Sequence, residues 1–204
     1  TSAGADEQID KIDDLVANRA DEIAGVVILP MDNTVENAIM SLIANDIPYV
    51  AFDRIIDGVK DDAVANVSGD NEGVGAAVAG LQPGDEVVVF EGDTSSVTTF
   101  RNDGFKAYLT GEKDYNGEFI ADDAKWTEDQ LSSLTFSGAM NWSRSTAKEY
   151  FETLMSDPNN ASIKWFYSQD DEFALGIMEA LEGSAIDDAT KQTILDNKIV
   201  ISAA

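Results

Sequence analysis

The sequence predicts an α/β protein built on parallel sheets. Segments with helical apolar spacing alternate with short continuous apolar runs, the pattern of crossover helices joining strands that are covered on both faces. Most of those runs stop at a polar cluster, as expected where parallel strands bring their carboxyl ends to one edge.

Residues 8–16 carry Ile9, Ile12, Leu15 and Val16 at helical spacing. Residues 25–30 form a short apolar strand, and a helix then opens at 31–34 with apolar positions Val35, Ile39, Met40, Leu42 and Ile43. The next strand occupies 47–52 and ends abruptly at Asp53-Arg54. Helix, strand, helix, strand indicates parallel strands joined by right-handed crossovers. Residues 55–62 read as a polar loop and 63–67 as a short strand. A short helix begins within 69–75, capped by Asp70 or Asn71, and Leu81-Gln82-Pro83-Gly84 ends it.

Residues 86–90 form another buried strand, followed by a helix through Phe105, Tyr108 and Leu109. Residues 118–121 predict a further strand, and 122–138 is the least regular part, anchored by Trp126 and Phe136. Asn141 or Ser143 opens a helix containing Ala147, Tyr150, Phe151, Leu154 and Met155. The strand at 163–167 is apolar and aromatic and runs into the turn Gln169-Asp170-Asp171. Asp171 is the expected N-cap of a helix beginning near Glu172. A polar helix at 187–195 and a strand at 199–201 follow.

Polar clusters therefore recur at strand ends: Met31-Asp32-Asn33, Asp53-Arg54, Asp70-Asn71, Glu91-Gly92-Asp93 and Gln169-Asp170-Asp171. Carboxyl ends share one edge of a parallel sheet, so helix capping alone is a weak account of so many clusters. Such an edge is where open α/β sheets take their ligands.

Composition narrows the chemistry. A chain of 204 residues with 44% hydrophobic content buries a real core, as one large domain or two small lobes. Its 39 acidic against 13 basic residues give a formal charge of −26, which argues against nucleic acid or an anionic membrane surface as partner. Cysteine and histidine are both absent, which removes disulfides, thiolate ligands, a cysteine nucleophile and any Ser-His-Asp triad. No cofactor or metal is expected, and no apolar run approaches the length of a membrane span. Thr1 is an unusual first residue, so the chain reads as mature, trimmed or incompletely represented.

The ordered motifs are similar to those of the type 1 periplasmic sugar-binding proteins, the substrate-binding subunits of ABC sugar transporters, with ribose, galactose/glucose and xylose binders nearest in pattern. Residues 8–54 resemble that family's helix, its "V-I-x-P-x-D" strand end (Val27 to Asp32) and its strand ending in Asp-Arg (Asp53-Arg54). Asp70-Asn71 with Gly75 resembles "D-N-x-x-x-G", and Arg101 with Gly104-Phe105 resembles "R-x-x-G-F". Asn141-Trp142-Ser143-Arg144 resembles the segment that offers an aromatic to the sugar, and residues 169–176 resemble "x-N-D-x-x-A-L-G".

The resemblance implies a two-lobed periplasmic binding protein type 1 fold, each lobe a parallel sheet sandwiched by helices. Residues 1–67 would form the first lobe, incomplete, and 68–204 the second. It implies a monomeric, non-enzymatic, extracytoplasmic protein, periplasmic or lipid-anchored. Such a protein closes two lobes over a monosaccharide, a hexose or pentose, and delivers it to a membrane permease. Asp53 and Arg54 would bind sugar hydroxyls from the first lobe, and Arg101 and Asp170 from the second, carboxylates accepting and guanidinium groups donating. Trp142 would cover the C–H face of the ring.

There are departures from the family pattern. Leu29 stands where some sugar binders place Asn, and Asp170 replaces the usual Asn, so that side chain accepts only. Asp171 keeps the cap in this reading and Asp170 becomes the ligand contact. The family's first βα unit should precede residue 1 and its last crossover should follow Ala204, and 122–138 is longer than the pattern. The alternative reading is the effector-binding core of a LacI-like regulator, which would need a DNA-binding segment ahead of this region. A glycosidase reading needs two carboxyl groups facing across a scissile bond, which nothing in the sequence indicates. Residues 114–117 lack the spacing of a calcium loop and read as a turn.

Overall fold

The computed structural model describes residues 4–77, 80–197 and 199–203. The chain divides into two compact units, one comprising residues up to Asn71 with Thr94–Thr99, the other Glu72–Asp93 with residues from Phe100 onward.

The first unit contains α1 (Ala5–Arg19), β1 (Val26–Ile28), α2 (Glu36–Ala44), β2 (Tyr49–Phe52) and β3 (Ala65–Val67). The strands form a parallel sheet in the order β1-β2-β3. Asp32 starts the turn into α2 by accepting from the Thr34 backbone N–H at 2.9 Å. Ile12, Val35, Ile39, Leu42, Tyr49 and Ala51 pack as one core on one face of the sheet. The expected polar loop at 55–62 is only half polar in practice. Ile55, Ile56 and Val59 are buried in that same core, and the Tyr49 hydroxyl donates to the Val59 carbonyl.

The second unit adds β4 (Val87–Glu91), β5 (Thr135–Ala139), α6 (Arg144–Met155), β6 (Trp165–Ser168), α7 (Asp171–Glu182), α8 (Asp188–Asp196) and β7 (Val200–Ala203). Before them comes the short α3 (Asn71–Ala76); between β4 and β5 come α4 (Ser96–Thr110), whose first turn belongs to the first unit, and α5 (Glu128–Leu131). Its parallel sheet runs β5-β4-β6-β7. Alternate residues of β4 and β6 serve opposite faces, as the twofold repeat of a strand requires. Val88, Phe90 and Phe166 join Phe151, Met155, Phe173 and Ile177 from the helices α6 and α7. Val87, Val89 and Tyr167 join Phe105, Leu109, Trp126 and Leu134 on the other side.

Three sequence expectations change. No strand forms at 118–121: the segment follows a turn in which Tyr115 and Glu118 make an isolated bridge, and Phe119 is exposed. That turn is the one expected at 114–117, with Asp114 accepting from the Gly117 N–H at 2.7 Å. Within 122–138 the irregular part contains α5, held by a reciprocal cap between Thr127 and Gln130, and the edge strand β5. Trp126 is buried there as expected, and Phe136 packs at the margin of the same core. Finally, α7 begins one residue early, with consequences for the site.

Candidate functional site

Three neighbouring strands of the second sheet deliver their carboxyl ends to one edge. Trp142 follows β5, Glu91-Gly92 ends β4, and Gln169-Asp170 follows β6. Arg101 reaches this edge from α4, which packs closely on α3 because both helices carry glycine at the crossing. A side-chain carbon on Gly75 would collide with the Arg101 carbonyl, and one on Gly104 with the Glu72 carbonyl.

Asp170, not Asp171, is the N-cap of α7. Its backbone is extended (φ −156°, ψ 149°) and its carboxylate accepts from the Glu172 backbone N–H at 2.7 Å. The chain becomes helical at Asp171, so the capping position falls one residue before the sequence expectation. Asp171 is exposed in the first turn, where its charge complements the helix dipole. Asp170 is therefore a cap as well as a candidate ligand contact. Among the described residues its other carboxylate oxygen has no hydrogen bond.

Trp142 is half-buried. Its ring stacks on Phe173 with centroids 6.0 Å apart and planes 3° from parallel, and the Arg101 guanidinium carbon lies 5.4 Å from its centroid. Its Nε1 is buried without a hydrogen-bond partner among the described residues. Asn141 and Trp142 both occupy the left-handed region, with φ of 53° and 56°. For asparagine this is common; for tryptophan it is an outlier costing of the order of 1–3 kcal/mol. The turn is held by Gly92, whose carbonyl accepts from the Met140 N–H at 2.7 Å and the Asn141 N–H at 2.8 Å. The indole lies against Gly92 so closely that any side chain there would overlap it.

Behind this surface a chain of hydrogen bonds joins two of the strand-end clusters, a link that no sequence pattern indicates. Gly92 N–H donates to Gln169 Oε1 at 3.0 Å, Gln169 Nε2 to Asn102 Oδ1 at 2.7 Å, and Asn102 Nδ2 to Glu91 Oε1 at 2.7 Å. Glu91 Oε2 accepts from the Gly138 N–H at 3.0 Å. Gln169 is fully buried, and its main-chain carbonyl accepts from Arg101 Nη1. Nearby, burial pushes the Tyr167 hydroxyl up to about 12 against the opposing pull of Arg101, so it stays neutral.

Asp53 and Arg54 lie at the end of β2 in the first unit. Asp53 is exposed and left-handed (φ 67°), with its N–H donating to the Val67 carbonyl at 2.8 Å. Arg54 is half-buried and donates through Nη1 to the Met31 carbonyl at 2.9 Å. No ion pair joins the two side chains among the described residues. The guanidinium is thus fixed by the loop after β1, which fits a positioned group better than a loose surface pair. Among the described residues no acidic cluster suits a metal ion, and no helix is long and apolar enough to cross a membrane.

The structure therefore gathers Arg101, Trp142 and Asp170 at one edge of the second unit and holds Asp53 with Arg54 at the edge of the first. Residues 1–200 match the family described as the periplasmic binding protein domain. The chain belongs to that family.

Solved structures of similar fold are solute-binding proteins. A galactofuranose-binding protein is 20% identical with a TM-score of 0.65, covering 98% of this chain and 62% of its own. A Bacillus halodurans ABC transporter solute-binding protein with bound myo-inositol is 20% identical with a TM-score of 0.67, covering 97% of this chain and 60% of its own. One from Agrobacterium vitis with bound D-fucose is 16% identical with a TM-score of 0.66, covering 98% and 61%. At these identities the likeness is one of fold. This periplasmic binding protein domain spans about three fifths of the length of those structures. No curated protein matches it.

Proposed function

We propose that this protein binds a monosaccharide outside the cytoplasm, as a monomer, and delivers it to the permease of an ABC transporter. It does so without chemical conversion of the sugar. The observation that carries this reading is the Trp142 surface with Arg101 and Asp170 beside it. A flat aromatic face suits the C–H side of a sugar ring, and a donor-only guanidinium next to an acceptor-only carboxylate suits its hydroxyl groups. Asp53 and Arg54 are further proposed contacts, and the two units act as the lobes, with the first division at Asn71 rather than at residue 67. Similar structures hold D-fucose and myo-inositol, hydroxyl-rich rings with the same recognition chemistry.

The test is isothermal titration with D-galactose, D-glucose, L-arabinose, D-fucose and myo-inositol, on the parent protein and on Asp170→Asn. Asparagine caps a helix as well as aspartate does, so the substitution separates the cap from the ligand contact. Exchanging a charged acceptor for a neutral amide is expected to weaken binding by about tenfold with little change in melting temperature. Silence of the folded parent across the whole panel overturns the reading.

A further inference from the structure

The hydrogen-bond chain behind the edge ends on the groups that the proposed function needs. It starts at Glu91, whose two oxygens accept from Gly138 N–H and from Asn102, so the Asn102 amide is presented with its nitrogen toward the carboxylate. That leaves Asn102 Oδ1 to accept from Gln169 Nε2, which in turn leaves Gln169 Oε1 to accept from Gly92 N–H. One carboxylate thus sets the direction of two amides, because each can donate only from nitrogen and accept only at oxygen.

Gly92 is where this direction becomes geometry. Its N–H is held by Gln169, its carbonyl holds the backbone of Met140 and Asn141, and its α-carbon lies against the Trp142 ring. The Gln169 main-chain carbonyl meanwhile holds Arg101, and the next residue is Asp170. From these contacts we infer that Gln169, oriented through Asn102 by Glu91, is a positioning residue for the Trp142–Arg101 pair, fixing the plane of the indole and the approach of the guanidinium before any ligand arrives. Preorganisation of this kind reduces the ordering cost of binding and makes the site selective for one ring geometry. The inference rests on the sugar-binding reading for its consequence, but not for its geometry. The alternative role is plain satisfaction of buried polar groups, which would affect stability alone.

The experiment isolates Trp142 by Trp126→Phe and Trp165→Phe, since the chain has 3 tryptophans. In that background, Gln169→Leu and Asn102→Leu are expected to red-shift Trp142 emission and raise its quenching by acrylamide. Gln169→Glu, which keeps an oxygen for the Gly92 N–H but loses the donor to Asn102 Oδ1 and places a carboxylate at a fully buried position, is expected to shift the emission in the same direction. Titrated with L-arabinose, D-fucose, D-glucose and myo-inositol, the two leucine variants should lose about tenfold in affinity, the scale of one buried hydrogen bond left unmade. Asn102 is only half-buried and touches neither Trp142 nor Asp170 through these bonds, so it decides the matter if Gln169→Leu does not fold. Unchanged Trp142 emission and quenching in folded Asn102→Leu overturns the inference. A parent that binds none of the sugars sinks the functional reading instead, while the emission measurements still judge the network.

Discussion

The two sheets are built from the same kind of strand yet differ in how they are covered. In the second unit both faces of β4 and β6 are buried, one against α6 and α7, the other against a core containing Phe105, Leu109 and Trp126. In the first unit one face is buried, whereas Val27 (73% exposed), Phe52 (40%) and Val67 (59%) are open on the other. Register places Val27 beside Val50 and Phe52 beside Val67, so these residues form a continuous apolar stripe. A groove of about 570 Å³ along α1 and β1, lined in part by Leu15, Val27 and Phe52, opens onto it. Parallel sheets normally have both faces covered. The buried core is therefore two-sided in the second unit, which also carries the edge with Trp142, and one-sided in the first.

The sharpest way to break that comparison is to truncate one strand residue on a covered face of the second sheet and one on the open face of the first. Phe166 is fully buried, edge-on to Phe151 at 5.2 Å and to Phe90 at 6.4 Å. Phe166→Ala is expected to cost about 3–5 kcal/mol in urea unfolding, the usual penalty for emptying an aromatic site in a packed core. Val27→Ala, by contrast, should stay within about 0.5 kcal/mol of the parent, as surface changes do. Comparable losses from both would mean that the first sheet is covered in solution.

The same contrast explains what the sequence could and could not reveal. β4 and β6 were legible because strands buried on both faces are continuous apolar runs, and the helix after β6 was legible from its acidic cap. Which acid caps it was not legible, since Asp170 and Asp171 are equally good caps and only the backbone angles separate them. β5 was missed because Thr135-Phe136-Ser137-Gly138-Ala139 is an edge strand of small and polar residues with three exposed positions and no apolar run. Trp142 was found through its motif, but the turn that presents it depends on that missed strand. Glu91 and Gln169 were legible only as members of strand-end clusters and Asn102 not at all, because hydrogen bonds from a helix residue to partners 11 and 67 positions away have no local pattern. Residues 118–121 misled in the opposite sense: the run is apolar enough for a strand, but no neighbouring strand pairs with it.

A smaller effect tests whether the open stripe is a solvent-facing surface. Val27→Lys combined with Phe52→Ser should reduce binding of the dye ANS, which reports accessible apolar surface, while leaving the unfolding midpoint nearly unchanged. The matching change on the second sheet, Val88→Lys, buries an unpaired charge and should prevent folding. ANS binding that is unaffected by the double substitution would place the accessible apolar surface elsewhere.

The smallest expected effect concerns charge. In the first unit the pairs Lys11–Glu7, Arg19–Glu22 and Lys60–Asp57 each join residues three or four apart. In the second, Arg144 of α6 reaches across to α7, gripping Glu172 through Nε at 2.7 Å and Nη2 at 3.0 Å, with Glu179 at 3.2 Å from Nη1. Hydrogen bonding to Arg144 holds the Glu172 carboxyl below its ordinary value of 4.5, and Arg144 itself stays protonated throughout. A carboxyl whose folded pKa is depressed contributes stability that is complete above its unfolded value and disappears as the pH falls through the folded one. Arg144→Gln should therefore be slightly less stable than the parent near neutrality, and the gap should close as the pH is lowered below 4.5. Asp187, also depressed by its bonds to Thr190, is present in both proteins and cancels from the difference. Urea midpoints measured from pH 7 to pH 3 read this out directly. Because the pair is about half exposed, the gap should also shrink in high salt, which a packing effect of the arginine stem would not do.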